Sequence, residues 1–194
     1  SYEPDTPLGY GETWYWRIDE VGPAADSEIN KGRVWSFTVE SFGLPIESVE
    51  ATASGAEAGM GPEHTVDGSG LNESNQHSTE ATQMWLSAGT QPNWIRFEFD
   101  KAYKLHELWV WNYNYVVESV TGFGARQVTI EYSLDASTWT QIPDALEFAQ
   151  GTSLPTYAPN TTVDLGGVVA KYVRLTVETT WGSSTRCGLS EVRF

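Results

Sequence analysis

The chain is built from short runs in which apolar and polar residues alternate, separated by Gly, Pro, Asn and Asp. No segment of ten or more residues carries a 3.6-residue period. Alternation with a period of two sends successive side chains to opposite faces of a strand, so a chain patterned this way buries one face of each sheet. Trp94-Ile95-Arg96-Phe97-Glu98-Phe99-Asp100 alternates cleanly, as does Val128-Thr129-Ile130-Glu131-Tyr132-Ser133, and residues 162–165, 172–177 and 189–194 continue the series. Residues 105–111 are dense in Leu, Val and Trp, the pattern of a strand buried on both faces or wedged beneath loops. The reading is an all-β, antiparallel β-sandwich or jelly roll, and it excludes an α/β architecture.

Two more strand-like runs, 13–21 and 33–39, stand at the start, joined by a polar loop with Pro23, Asp26, Asn30 and Gly32. Two strands are marginal in water by themselves. Residues 1–40 are therefore expected to be an extra β-hairpin-like fragment, either packed on the next domain or the tail of a domain that the chain enters mid-pattern. The run from Ser41 to Pro45 is the expected boundary, with a second domain over 41–194.

Charge narrows the partners. Eleven basic residues face 26 acidic ones, a formal net charge of -15. The Lys and Arg beyond residue 40 are scattered singly, so no cluster exists to release phosphate counterions, and nucleic acid is excluded as a partner. An anionic membrane is disfavoured for the same reason, and no stretch reaches the ~20 apolar residues of a membrane span. Cys187 is the single cysteine, so no internal disulfide forms. His64, His77 and His106 lack the spacing of a metal-binding pair, and no nucleophile elbow, phosphate loop or dinucleotide fingerprint occurs, which points away from an enzyme. The polar stretch from Asp67 to Ala81 is long enough that an ordered purpose is expected of it.

Seven short motifs in order carry a resemblance across the second domain. They are Ala51-Thr52-Ala53-Ser54, Thr65-Val66-Asp67-Gly68, Met84-Trp85-Leu86-Ser87, the Trp94–Phe99 strand, Val128–Ser133 with Asp135 and Trp139, Ala170–Leu175, and Ser190-Glu191-Val192. Together they resemble the coagulation factor V/VIII type C, or discoidin-like, fold, and among its members the bacterial family-32 carbohydrate-binding modules. The first 40 residues resemble the last two strands of a fibronectin-III-like domain.

The resemblance implies a non-catalytic module, monomeric when isolated and secreted or displayed at a cell surface, that tethers an exported multidomain protein to a poly- or oligosaccharide. A protein- or lipid-adhesion module of the same fold and a structural spacer are the alternatives. It also implies a structural Ca²⁺ between the Asp-Gly loop and the last strand, with Asp67, Asn72 and Glu191 as ligands. A cap for an Asx-turn is the other role open to Asp67.

Sugar recognition needs a flat aromatic face and planar polar groups for the hydroxyls. In the resembling modules these sit on loops at one end of the sandwich. The matching candidates are His77 in the first loop and Asn112, Tyr113, Asn114 and Glu118 in the second, together with Trp181 and Arg186 in the third. For the two Asn and for Tyr113, loop-internal bonding or packing is the competing role.

Overall fold

The computed structural model describes Leu8 and residues 11–21, 29–39, 43–143 and 146–194. It divides into two compact units, Ser1–Leu44 and Pro45–Phe194. Of the features expected from sequence, Pro23, Asp26 and Ser41 lie outside the described residues.

In the first unit β1 (Thr13–Trp16) pairs antiparallel with β4 (Trp35–Thr38), and β2 (Glu20–Val21) with β3 (Ile29–Asn30). The register Trp14↔Phe37 and Trp16↔Trp35 gathers four aromatics on one face. The Trp16 and Trp35 rings stack with centroids 6.1 Å apart, and Arg33 lies 5.1 Å from the Trp35 centroid.

The second unit is organised by two long strands, β7 (Asn93–Asn112) and β11 (Thr161–Val177). Around them stand β5 (Val49–Ala53), β6 (Trp85–Leu86), β8 (Gln127–Ser133), β9 (Thr140–Gln141), β10 (Leu146–Glu147) and β12 (Gly188–Arg193). Neighbours run β10-β8-β11-β7-β12-β6, with β5 also on β7 and β9 on β8. Every strand pairing is antiparallel.

The first half of β7 lies between β5 and β11, while its last residues, 109–112, pair with β12. The ladder to β11 shifts register between Asp164 and Val168 and again between Ala170 and Tyr172. Gly166 and Gly167, at φ +66° and +71°, sit in the first of these bulges, where only glycine is comfortable. The two long strands thus leave one layer and enter the other, which turns the sheet into a sandwich. The alternation of residues 94–100 and 105–111 predicts two strands, as does that of 162–165 and 172–177. Each pair proves to be one bent strand: in β11 the Gly166-Gly167 signal marks a bulge rather than a turn, and in β7 the ladder bends with no glycine or proline to announce it.

The core holds Trp85, Ile95, Phe97, Phe99, Leu108, Val110, Ile130, Val173 and Leu175, the inward set of each alternating run. Most of Trp85, Trp94, Trp109, Trp111 and Trp139 are expected inside, but only Trp85 and Trp111 are buried, with Trp94 and Trp139 half-buried. Trp109 is 42% exposed, because Leu108 and Val110 take the inward positions beside it. Trp111 is sealed by the polar loop, its Nε1 donating to the Asn75 carbonyl at 3.0 Å. The 67–81 stretch thus covers this part of the core at Asn75. Cys187 is buried and its thiol is pushed up to about 12 by that burial.

Candidate functional site

Loops 112–126 and 179–187 meet at one end of the sandwich. Gly182 N–H donates to the Gly122 carbonyl at 2.7 Å and Trp181 N–H to that of Gly124 at 3.2 Å. The approach requires glycine on both sides, since a side chain on Gly122 would collide with the Gly182 backbone and one on Gly182 with the Thr121 carbonyl. Gly122, at φ +61°, also ends the single helical turn α1 (Glu118–Thr121).

A small apolar cluster of Met84, Leu86 and Tyr113 fills this end, apart from the main core. Met60, Tyr115 and Phe123 pack on it and remain half-buried. Tyr113 braces both neighbouring rings, with centroids 6.5 Å from Tyr115 and 6.3 Å from Phe123. Beside this rim, Arg186 pairs with Glu57 at 3.0 Å, and the Glu57–Met60 turn joins the cluster through Glu57 N–H donating to the Leu86 carbonyl at 2.8 Å and Leu86 N–H to the Met60 carbonyl at 3.2 Å. Trp181 is half-buried. Its Nε1 donates to the Phe148 carbonyl at 3.0 Å, and the Arg126 guanidinium stands 4.7 Å from its ring centroid, covering one face.

Most of the sugar contacts expected from sequence are sealed from solvent and correct that expectation. Asn112 is fully buried. Its Nδ2 donates to the Ala125 and Ala149 carbonyls, both at 2.7 Å, and its Oδ1 accepts from Tyr113 N–H at 2.9 Å and Ala125 N–H at 3.0 Å. Asn114 is equally buried. Its Nδ2 donates to the Leu154 carbonyl at 2.8 Å and the Ser78 carbonyl at 3.2 Å, and its Oδ1 accepts from Ser153 N–H at 2.8 Å.

Glu118 accepts from Gly124 N–H and Phe123 N–H, both at 2.9 Å. Burial pushes its carboxyl up, and those backbone bonds pull it back. Tyr113 is pushed up to about 12 by burial, with Glu118 adding to the shift. His77 donates from its backbone to the Tyr157 carbonyl at 2.7 Å and from Nδ1 to the Ser78 carbonyl at 3.0 Å. Its Nε2 is buried without a partner against Gly70, where a Cβ would strike the ring. Amides, a carboxylate and an imidazole can satisfy irregular backbone as readily as a ligand, and here they hold the loops together.

Phe123, Met60, Glu57 and Arg126 are missed by the sequence reading. Only Phe123 carries a signal, a large ring held between Gly122 and Gly124. Trp181 and Arg186 do lie at this end.

A second polar pole lies along β12. Glu191, fully buried, accepts from Arg193 Nε at 3.0 Å and from Gly68 N–H at 3.3 Å. Burial pushes its carboxyl up to about 7; Arg193 and Gly68 N–H lower it, and Asp67 raises it again. Asp67 accepts from Ser69 N–H at 2.8 Å and lies 3.1 Å from His64 Nδ1. Burial opposes its charge, yet the bonds from Ser69 and His64 outweigh that and hold its carboxyl below the usual value.

Two carboxylates with lone pairs to spare, the Asp67 charge disfavouring that of Glu191, suit a hard cation. Among the described residues no three His, Cys, Asp or Glu converge on a metal position, so further ligands would be backbone carbonyls or water. Asn72 does not join them. Its Oδ1 accepts from Ser74 N–H at 2.9 Å and Gln76 N–H at 3.0 Å, closing its own turn.

The sequence matches the F5/8 type C domain over residues 49–192. The chain belongs to the F5/8 type C family. The match leaves the first unit outside it. No curated protein matches the sequence.

Among solved structures, this F5/8 type C chain is similar to a family 89 glycoside hydrolase from Clostridium perfringens in complex with GlcNAc-alpha-1,4-galactose. That similarity has 18% identity and a TM-score of 0.53, and covers 78% of this chain but only 14% of that one. The family 32 carbohydrate-binding module of NanJ from C. perfringens, in complex with galactose, is 15% identical with a TM-score of 0.55, covering 77% of this chain and 96% of that one. The family 32 module of AlyQ, in complex with 4,5-unsaturated mannuronic acid, is 21% identical with a TM-score of 0.51, covering 78% and 97%. At these identities the likeness is one of fold.

Proposed function

We propose that this F5/8 type C domain is a non-catalytic carbohydrate-binding module that holds an exported, secreted or surface-displayed protein on a poly- or oligosaccharide. The observation that carries the reading is the rim of half-buried Tyr115 and Phe123, both braced on buried Tyr113. A rigid aromatic edge accepts the apolar face of a sugar ring without first being ordered. Side chains of the Glu57–Arg186 pair stand ready for hydroxyls. Similar modules that hold galactose and an unsaturated uronic acid support the same reading. The first unit is read as the end of a fibronectin-III-like neighbour in the same exported chain.

The Asp67–Glu191 pole is proposed to hold a structural Ca²⁺, with Asp67 and Glu191 as its side-chain ligands. Bound there, the ion would neutralise two opposed carboxylates and tie the Asp-Gly turn to the last strand.

The test is a glycan screen followed by affinity measurements on any hit. Phe123→Ala and Tyr115→Ala should each weaken binding about tenfold while circular dichroism shows the sandwich intact. Wild-type affinity in both folded variants would remove this site.

A second reading, adhesion to a protein surface, is favoured by one feature. Val116, Val117, Val120 and Leu154 form an exposed aliphatic ridge, Val120 being 86% exposed. Asn114 Nδ2 donating to the Leu154 carbonyl and Ser119 N–H donating to Ser153 Oγ, at 2.9 Å, tie its two segments together. A blank glycan screen with a protein ligand lost on Val120→Glu would favour that reading.

A further inference from the structure

We infer that the tip selects neutral glycans and discriminates against uronate and sulfate groups, an inference that rests on the carbohydrate reading above. It comes from the charge inventory of the end loops. The segments 54–61, 87–92, 112–126, 147–158 and 179–187 together contain two cations, Arg126 and Arg186, and three carboxylates, Glu57, Glu118 and Glu147. Both cations are already engaged.

Arg186 Nη2 lies 3.0 Å from Glu57 Oε1. Arg126 Nε donates to Glu147 Oε2 at 3.2 Å, and its guanidinium also covers Trp181. Glu147 is held in place by Gln127, whose Nε2 donates to the same oxygen at 2.7 Å. Glu118 is buried and spends its oxygens on the Phe123 and Gly124 amides.

An anionic sugar reaching Arg186 would exchange one carboxylate for another and leave Glu57 unpaired beside it. That exchange returns little, because an exposed ion pair is itself weak. The field of the chain adds to the penalty, since its net charge is -15. Fold likeness does not decide between neutral and charged sugars, as similar modules are solved with either; the pairing of these two arginines does. Hydroxyls lose nothing by this arrangement, since a paired guanidinium and carboxylate still offer donors and acceptors to neutral rings.

Affinity electrophoresis of the whole chain tests this, with galactan, mannan and β-glucan as neutral polymers and polygalacturonate and dextran sulfate as anionic ones, at low and high salt. Retention by a neutral polymer, insensitive to salt and with no retention by either polyanion, is the expected result. Glu57→Gln and Glu147→Gln, which free Arg186 and Arg126, should each then bring about retention by polygalacturonate that high salt abolishes. Wild-type retention by a polyanion that salt releases would overturn the inference and leave sugar binding standing. Folded variants that gain nothing would also overturn it. No retention by any polymer would remove the carbohydrate reading and this inference together.

Discussion

The end of the sandwich and the side pole along β12 both bury polar side chains, and they do so in opposite ways. At the end, the neutral amides of Asn112 and Asn114 spend their polar atoms on backbone groups of residue 78 and loops 112–126 and 149–154. At the pole, Glu191 carries a buried charge that Arg193 and one amide compensate incompletely, with Asp67 working against it. A buried neutral amide whose bonds are all made costs nothing further and stiffens its surroundings; a buried charge needs a counter-charge. The first arrangement is a scaffold that presents Tyr115 and Phe123. The second is a place where, on the proposal above, a cation would stabilise the fold.

The comparison breaks most easily at Asn112. Asn112→Ala would remove four bonds and strand the Tyr113 and Ala125 amides and the Ala125 carbonyl in the interior, while the Ala149 carbonyl keeps its bond from Asn160 Nδ2. At about 1 kcal/mol for each lost bond, the expected loss is about 4 kcal/mol, or a fall in Tm of about 10 °C for a domain of this size. Thermal unfolding followed by circular dichroism measures it. A fall of one or two degrees would mean that the lattice is decorative.

The same contrast explains which parts of the molecule can be read from sequence. Alternation marks the inward set Ile95, Phe97 and Phe99 because burial of one face leaves a period-two trace. The join of residues 94–100 to 105–111 leaves none, as a bent ladder needs no special residue. Asp67-Gly68 stands out because the turn puts Gly68 at φ +69° with its N–H on Glu191, so residue type and geometry coincide. Asn112 and Asn114 have the right chemistry for hydroxyls, but an amide that faces a sugar and one that faces a carbonyl are written with the same letter. Only the closure of loops across tens of residues separates the two, and sequence spacing does not carry that. Phe123 goes unread for the converse reason, since a lone ring between glycines has no periodicity.

Calcium sharpens the comparison at the other pole. If Asp67 and Glu191 hold the ion, Ca²⁺ at one hundred times its Kd should stabilise the protein by about 2.7 kcal/mol over protein in excess chelator. Differential scanning calorimetry in the two buffers measures the shift. Asn112→Ala should keep the full shift, because its defect lies at the end, whereas Asp67→Asn should lose most of it. Identical melting with and without chelator would remove the ion.

The smallest expected effect isolates the Glu191 charge itself. With its folded pKa raised to about 7 from an ordinary value near 4.5, the native carboxyl binds its proton more tightly than the unfolded one does. Between those values the native state therefore holds more protons, so stability is favoured at the acid end of the window and falls as pH rises through it. Glu191→Gln has no proton to lose, and Asp67 and Arg193, the charges that face this position, are common to both proteins, as is His64 beside Asp67. In chelator, the stability of Glu191→Gln relative to wild type should therefore rise by about 2 kcal/mol between pH 5 and pH 8, read from urea midpoints. Saturating Ca²⁺ should shrink that rise by favouring the wild-type carboxylate. A difference that stays flat with pH in chelator would show that Glu191 is as well compensated as the amides at the end, and the two regions would no longer differ in kind.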